Sequence, residues 1–223
     1  MTAQLLIFDC DGVLVDSEPI AAQVLAEALI EHGLSETPES VDAQFRGKSI
    51  ADIVRDLESQ LGRELAPDFI EKLSATTRSA FEESLRPIPG VHKLLTELTD
   101  KSIDLCVASS GSPEKIVHSL SLTELLPFFF GRIYSAQQVR HGKPAPDLFL
   151  YAAQQMGYPI SQCTVIEDSE PGVAGAVRAG ARVLGYVAPN RPDSTQRERG
   201  LRQLGALVFH YMHEVPALVG LWP

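Results

Sequence analysis

Four short stretches hold the residue types that could act together. In the first, the apolar run Leu5-Leu6-Ile7-Phe8 stops at Asp9-Cys10-Asp11-Gly12. A buried parallel strand ending this way delivers carboxylates to the C-terminal edge of a sheet, where open α/β folds bind their ligands. On an extended strand Asp9 and Asp11 project to one side and Cys10 to the other. Gly12 lets the backbone turn sharply against a ligand. Asp and Gly also simply end strands, so this stretch by itself leaves a structural and a functional reading open.

The second stretch, Ile103 to Ala108, runs into Ser109-Ser110-Gly111-Ser112-Pro113. Ser112 can cap and Pro113 can open a helix; hydroxyls and backbone N–H groups there suit an anion, although plain capping looks the same. In the third, Gly142-Lys143-Pro144-Ala145-Pro146, the two prolines after Lys143 stiffen the loop and fix the reach of an ammonium that would otherwise be merely solvated. The fourth, Thr164-Val165-Ile166, ends in Glu167-Asp168-Ser169 and repeats the behaviour of the first. In a parallel sheet Asp9, Asp11, Glu167 and Asp168 converge at one edge. So many carboxylates do not stay ionised together without a cation. All-oxygen ligation beside an anion site points to Mg²⁺.

The elements that must position these groups follow from the pattern of the 223-residue chain. Ile20, Val24, Leu25, Ala28 and Leu29 recur at helical spacing before Gly33; a second helical pattern runs from Ile50 to Leu61 and closes at Gly62; a third runs from Pro67 to Phe81. No strand pattern falls between Ser17 and Leu85. From Pro87 the chain alternates: a helix from Val91 to Leu98, strand 103–108, a helix from Pro113, strand 132–135, helix 146–156, strand 164–166, helix 172–179, strands 182–187 and 206–209, and a last helix near 215–221. The polar stretch 189–202 reads as a surface loop entering a short helix. Alternating β and α predicts a parallel sheet covered on both faces. The expectation is an α/β, Rossmann-like doubly wound core, residues 1–16 and 87–223, with an inserted all-helical cap at 17–86.

A formal net charge of −10 without a Lys/Arg cluster argues against nucleic-acid or anionic-membrane partners. No apolar run reaches the length of a membrane span and no charged leader precedes the first strand, so a cytoplasmic protein is expected. Cys10, Cys106 and Cys163 sit in or beside apolar runs without metal-ligand spacing and are expected to be reduced core residues. Carboxylates on either side of Cys10 work against a thiolate there. No heptad or exposed apolar stripe argues for assembly, so a monomer is expected.

Asp9-Cys10-Asp11-Gly12-Val13, Ser109, Lys143 and Glu167-Asp168, in this order on these strand ends, resemble the four motifs of the haloacid dehalogenase-like (HAD) hydrolase superfamily. The Asp-x-Asp-Gly-Val-x-x-Asp-Ser-Glu form and the small helical insert look like the β-phosphoglucomutase and phosphoglycolate phosphatase subgroup. The resemblance implies Asp9 as a nucleophile that forms an aspartyl phosphate. It implies Asp11 as general acid, then base. Phosphoryl oxygens would be held by Ser109, Lys143 and backbone N–H groups near Gly12 and Ser110. Asp9, Asp11 through its carbonyl, Glu167 and Asp168 would make the Mg²⁺ set, Glu167 directly or through water. A lid hinged near 15–17 and 86–89 would close over the site. Its segment Phe45-Arg46-Gly47-Lys48-Ser49 would face the active site, with Arg46 and Lys48, and more remotely Arg78, as substrate contacts; solvated side chains would look the same.

Within the family, Asp11 argues against a dehalogenase or a phosphonatase, which lack an acid at that position. A β-phosphoglucomutase carries an arginine three residues after the lid glycine and a histidine four after the hinge; here those positions are Ile50 and Ala21. The expected activity is a Mg²⁺-dependent phosphatase acting on small phosphate esters, sugar or sugar-acid phosphates. The alternatives are a phosphomutase and a non-catalytic phosphometabolite-binding protein.

Overall fold

The structure, a computed structural model, describes residues 5–189, 191 and 193–220. Its centre is a parallel sheet in the order β3-β2-β1-β4-β5-β6, built from β1 (Leu5–Phe8), β2 (Asp104–Ser109), β3 (Ile133–Ser135), β4 (Cys163–Glu167), β5 (Arg182–Tyr186) and β6 (Leu207–Phe209). All four residues of β1 are fully buried because both faces of the strand are covered, as its unbroken apolar run requires. Leu6 and Phe8 point into one core cluster, Leu5 and Ile7 into the other. Each such side chain contributes on the order of 1.5–3 kcal/mol by leaving water.

Of the five helices between β1 and β2, the first four are α1 (Glu18–Glu31), α2 (Pro38–Phe45), α3 (Ile50–Leu61) and α4 (Phe69–Ser84). They bury a cluster of their own, with Leu29 and Leu57 fully enclosed. After α5 (Val91–Asp100) and β2 come α6 (Pro113–Leu122) and the single turn α7 (Leu126–Phe129). Then follow α8 (Asp147–Gln155), α9 (Glu170–Ala179), α10 (Ser194–Gln203) and α11 (Val215–Leu218). Residues of α5, α6, α7 and α11 cover one face of the sheet, and residues of α8, α9 and α10 the other. The doubly wound α/β class expected from the alternation is the observed one. Leu221 of the expected last helix, and Asn190 and Pro192 of the expected polar loop, lie outside the described residues.

Two helices were not anticipated. The short α2 begins at a capping box in which Thr37 and Ser40 exchange side-chain and backbone bonds, with Pro38 opening the helix; serine at the third position, in place of the usual Glu or Gln, is a weak signal. The other, α7, is too short for periodicity to register. The helical insert joins the core by two antiparallel connections: Val15 bridges Pro87, Asp16 N–H donates to the Arg86 carbonyl and Ile88 N–H to that of Leu14. From the end of α4, Phe81 and Leu85 pack with Val13, Leu14 and Ile88 in the core cluster. Among the described residues no helix is long and apolar enough to cross a membrane.

Candidate active site

The sheet reverses its winding between β1 and β4, the usual place for a ligand crevice, and this is where the acidic groups lie. Asp9 N–H extends the ladder by donating to the Ile166 carbonyl at 2.9 Å, which fixes the residue one step past β1. The chain then turns within five residues, with Leu14 and Val15 N–H groups both returning to the Cys10 carbonyl. Gly12 takes φ +77°, and a Cβ there would stand 2.5 Å from Asp168 Oδ2. Its own N–H donates to the Val15 carbonyl. The missing side chain at Gly12 is what lets Asp168 approach the turn.

Glu167 closes β4 fully buried. Its Oε2 accepts from the N–H groups of Asp168 and Ser169 and from Ser169 Oγ, at 3.0–3.1 Å, so the carboxylate lies over the N-terminus of α9, where anions are favoured. Gly172 makes room, since a Cβ there would fall within the carboxylate. Lys143 completes the arrangement. Its ammonium reaches Asp9 Oδ1 at 2.6 Å and Glu167 Oε1, with its side chain almost wholly enclosed. Burial works against its charge, but Asp9 and then Glu167 outweigh burial and hold its pKa above the usual lysine value. The loop carrying it follows the stiff path expected: Arg178 donates to the Pro144 carbonyl and Gly175 lets α9 close on the Ala145 carbonyl.

Asp9, Glu167 and Asp168 each offer one carboxylate oxygen to a group whose members lie within 4.8 Å of one another, all buried. Burial pushes the Asp9 carboxyl well above the ordinary range; Lys143 opposes this, while Glu167, Asp168 and Asp11 add to it. Burial does the same at Asp168, reinforced by Glu18 and opposed by Arg197. A hard, all-oxygen donor set with this excess of buried negative charge fits a divalent cation. The Asp11 carboxylate stands outside this group. It is held by Lys115 at 2.7 Å on one oxygen and by Ser17 Oγ at 2.6 Å on the other, and despite burial, Lys115 and Ser17 keep its pKa below the ordinary value. Convergence of all four carboxyl groups therefore reduces to three, because the chain has left strand geometry before Asp11.

Buried Ser109 accepts from Gly111 N–H, and Ser135 at the end of β3 donates to the Gly111 carbonyl at 2.6 Å. Ser110 Oγ reaches the Gly47 carbonyl at 3.4 Å. Gly47, at φ +73°, sits where a Cβ would be 2.6 Å from Ser169, so the turn after α2 rests directly on the site. Arg46 is nearly buried and committed to Asp42, Glu18 and Asp193. Lys48 pairs with Asp56 at 2.7 Å and lies over the Phe45 ring. Arg78 is two-thirds exposed, pairs with Glu82 on its own helix and has no described contact with the site. Burial, then Asp11 and Asp9, push the Cys10 thiol well up, as expected of a resting thiol.

Sequence reasoning missed Lys115, the Ser17 hydroxyl, Glu18 and two arginines of the segment after β5. Arg197 donates to Asp168 Oδ2 at 2.7 Å and to its carbonyl, and Arg191 to Asp16 and Glu18. The sequence offers a signal only at Ser17, a cap-type residue before Glu18-Pro19; it stands at the N-cap of α1 yet makes no capping bond, its hydroxyl being turned to Asp11.

Comparison with known proteins gives this arrangement a family. The profile described as haloacid dehalogenase-like hydrolase matches residues 6–186. The 6-phosphogluconate phosphatase of Escherichia coli is 30% identical over 85% of this chain and 86% of its own length. Hexitol phosphatase A of the same organism is 30% identical over 96% and 94%. A crystallised HAD family hydrolase from Deinococcus radiodurans, with bound phosphate and sodium, superposes with a TM-score of 0.78 at 32% identity over 98% of this chain and 96% of that one. The chain belongs to the haloacid dehalogenase-like hydrolases.

Proposed function

We propose that this protein is a phosphatase for small phosphorylated metabolites, sugar or sugar-acid phosphates, working through an aspartyl phosphate on Asp9. The observation that carries the reading is the buried contact of Lys143 with Asp9 at the mouth of the acidic group. An ammonium on a proline-stiffened loop aims the carboxylate and supplies a cation to offset the charge of an approaching phosphate. The named phosphatase relatives support the same reading.

In the first half of the reaction an Asp9 oxygen forms a bond to phosphorus as the bond to the ester oxygen breaks. Asp11, carrying the proton it took from water in the preceding turnover, gives it to the departing alkoxide. In the second half Asp11 takes a proton from water, which attacks the aspartyl phosphate and releases inorganic phosphate. The contacts with Lys115 and Ser17 hold the Asp11 pKa low, which favours its return to the carboxylate that the second half needs. Ser109 and the backbone donors of the following turn hold the phosphoryl oxygens, and Lys143 neutralises part of their charge. The acidic group suits Mg²⁺, held by Asp9, Asp168 and the Asp11 carbonyl; when bound it offsets the repulsion between a carboxylate and a phosphate dianion. Glu167, whose oxygens are occupied by Lys143 and the α9 N-terminus, anchors Lys143 and would add its negative charge to the cation's surroundings.

Residues 17–86 act as a cap that closes on the core through the Gly47 turn. Arg46 and Lys48 flank that turn and would meet the part of the substrate beyond the phosphate once their carboxylate partners yield. The test is phosphate release from a panel including 6-phosphogluconate, hexitol phosphates and β-glucose 1-phosphate, with Mg²⁺, for the native protein and Asp9→Asn. The expected result is hydrolysis of one or a few esters, abolished in a folded Asp9→Asn. Conversion of β-glucose 1-phosphate to glucose 6-phosphate without phosphate release would replace the phosphatase reading with a mutase.

A further inference from the structure

We propose that Lys115 is a positioning residue that, with Ser17, sets the direction in which the Asp11 carboxylate works. The proposal rests on the phosphatase reading, in which Asp11 is the acid and base. The two groups take opposite oxygens, Lys115 Nζ at 2.7 Å from Oδ2 and Ser17 Oγ at 2.6 Å from Oδ1, so rotation of the carboxylate is blocked from both sides. A pair gripped at one oxygen only would not fix that rotation.

The placement of Lys115 has a cost that its contact with Asp11 offsets. It occupies the first turn of α6, where the helix dipole disfavours a cation, and its backbone is fixed there by the Ser112 cap. Its side chain crosses the Phe81 ring, with Nζ 5.8 Å from the centroid, in a favourable cation–π contact. Lys115 thus spans the helix that follows Ser109, the last helix of the insert through Phe81, and the entry to the insert through Asp11 and Ser17. Two lysines divide the two aspartates of the first motif: Lys143 serves Asp9 and Lys115 serves Asp11.

The experiment measures kcat and KM for an ester turned over in the panel, for the native protein, Lys115→Met, Lys115→Arg and Ser17→Ala, each checked by circular dichroism. Lost alignment of an acid–base group is expected to lower kcat in Lys115→Met by about tenfold or more, with KM near the native value. Lys115→Arg should recover most of the loss, and Ser17→Ala should lower kcat in the same direction. An unchanged kcat in Lys115→Met overturns the proposal, as does a raised KM at native kcat, which would make Lys115 a substrate contact. If Lys115→Met does not fold, Ser17→Ala decides, and a native kcat there overturns it. A native protein inactive on the whole panel takes down the phosphatase reading itself, which is a different result from an active native protein matched by Lys115→Met.

Discussion

Gly172 illustrates what single residues contribute here. Glu167 folds back over the first turn of α9, and an added Cβ at Gly172 would lie 1.8 Å from Oε1, so any side chain there evicts the carboxylate. Lys143 would then keep Asp9 and lose its second partner. Gly172→Ala is expected to cost about 1–3 kcal/mol through overpacking and to lower kcat/KM along with Tm. Native values of both, in thermal unfolding and steady-state assays, would show that Glu167 can turn aside without consequence. At this scale the sequence revealed what strand ends dictate. Asp9, Ser109, Glu167 and Asp168 each stop or follow an apolar run, and Lys143 opens a stretch with two prolines, so local pattern alone placed them. Lys115, Glu18, Arg191 and Arg197 are side chains whose partners are decided by which helices pack together, and no spacing in the chain encodes that.

At the scale of elements, the connection between α2 and α3 determines how the insert meets the core. Gly47 combines a left-handed backbone with the close approach to Ser169, and alanine there incurs about 1–2 kcal/mol of backbone strain in addition to the clash. The interior of the insert, built on Leu29 and Leu57, does not involve this turn. Gly47→Ala should therefore keep native helicity by circular dichroism while kcat/KM falls, because the turn can no longer settle on Ser110 and Ser169. Undiminished kcat/KM would remove this contact from the working state. Of the two helices flanking this turn, α3 was legible from its apolar spacing, and the expected stop at Gly62 is a left-handed C-cap. The helix that leads into the turn, α2, was not, because its signal lies in a serine-based capping box instead of periodicity.

For the whole molecule, alternation of strand and helix was enough to foresee a parallel doubly wound sheet, but the strand order that brings β4 beside β1 is a property of packing. That order gathers buried negative charge in a chain already at −10. Asp9 and Asp168 have raised pKa values when folded, so the folded state holds their protons more tightly than the unfolded chain does. Their contribution to stability is fully present below the ordinary aspartate pKa and is lost as pH rises through the raised values. Asp11, held below its ordinary value, contributes in the opposite sense, its stabilisation disappearing as pH falls. A divalent cation competes with protons for Asp9 and Asp168 and reverses the sign of their effect. Mg²⁺ at about a hundred times its dissociation constant would add about 2.7 kcal/mol; at roughly 2–4 °C per kcal/mol, Tm should rise by roughly 5–10 °C over the same protein in EDTA. The gain should be larger near about pH 7.5 than near about pH 5, where protons hold the ligands. Equal Tm values in Mg²⁺ and EDTA at both pH values would mean that Lys143 and Arg197 alone balance the acidic group, and phosphate chemistry at Asp9 would have to proceed without the cation.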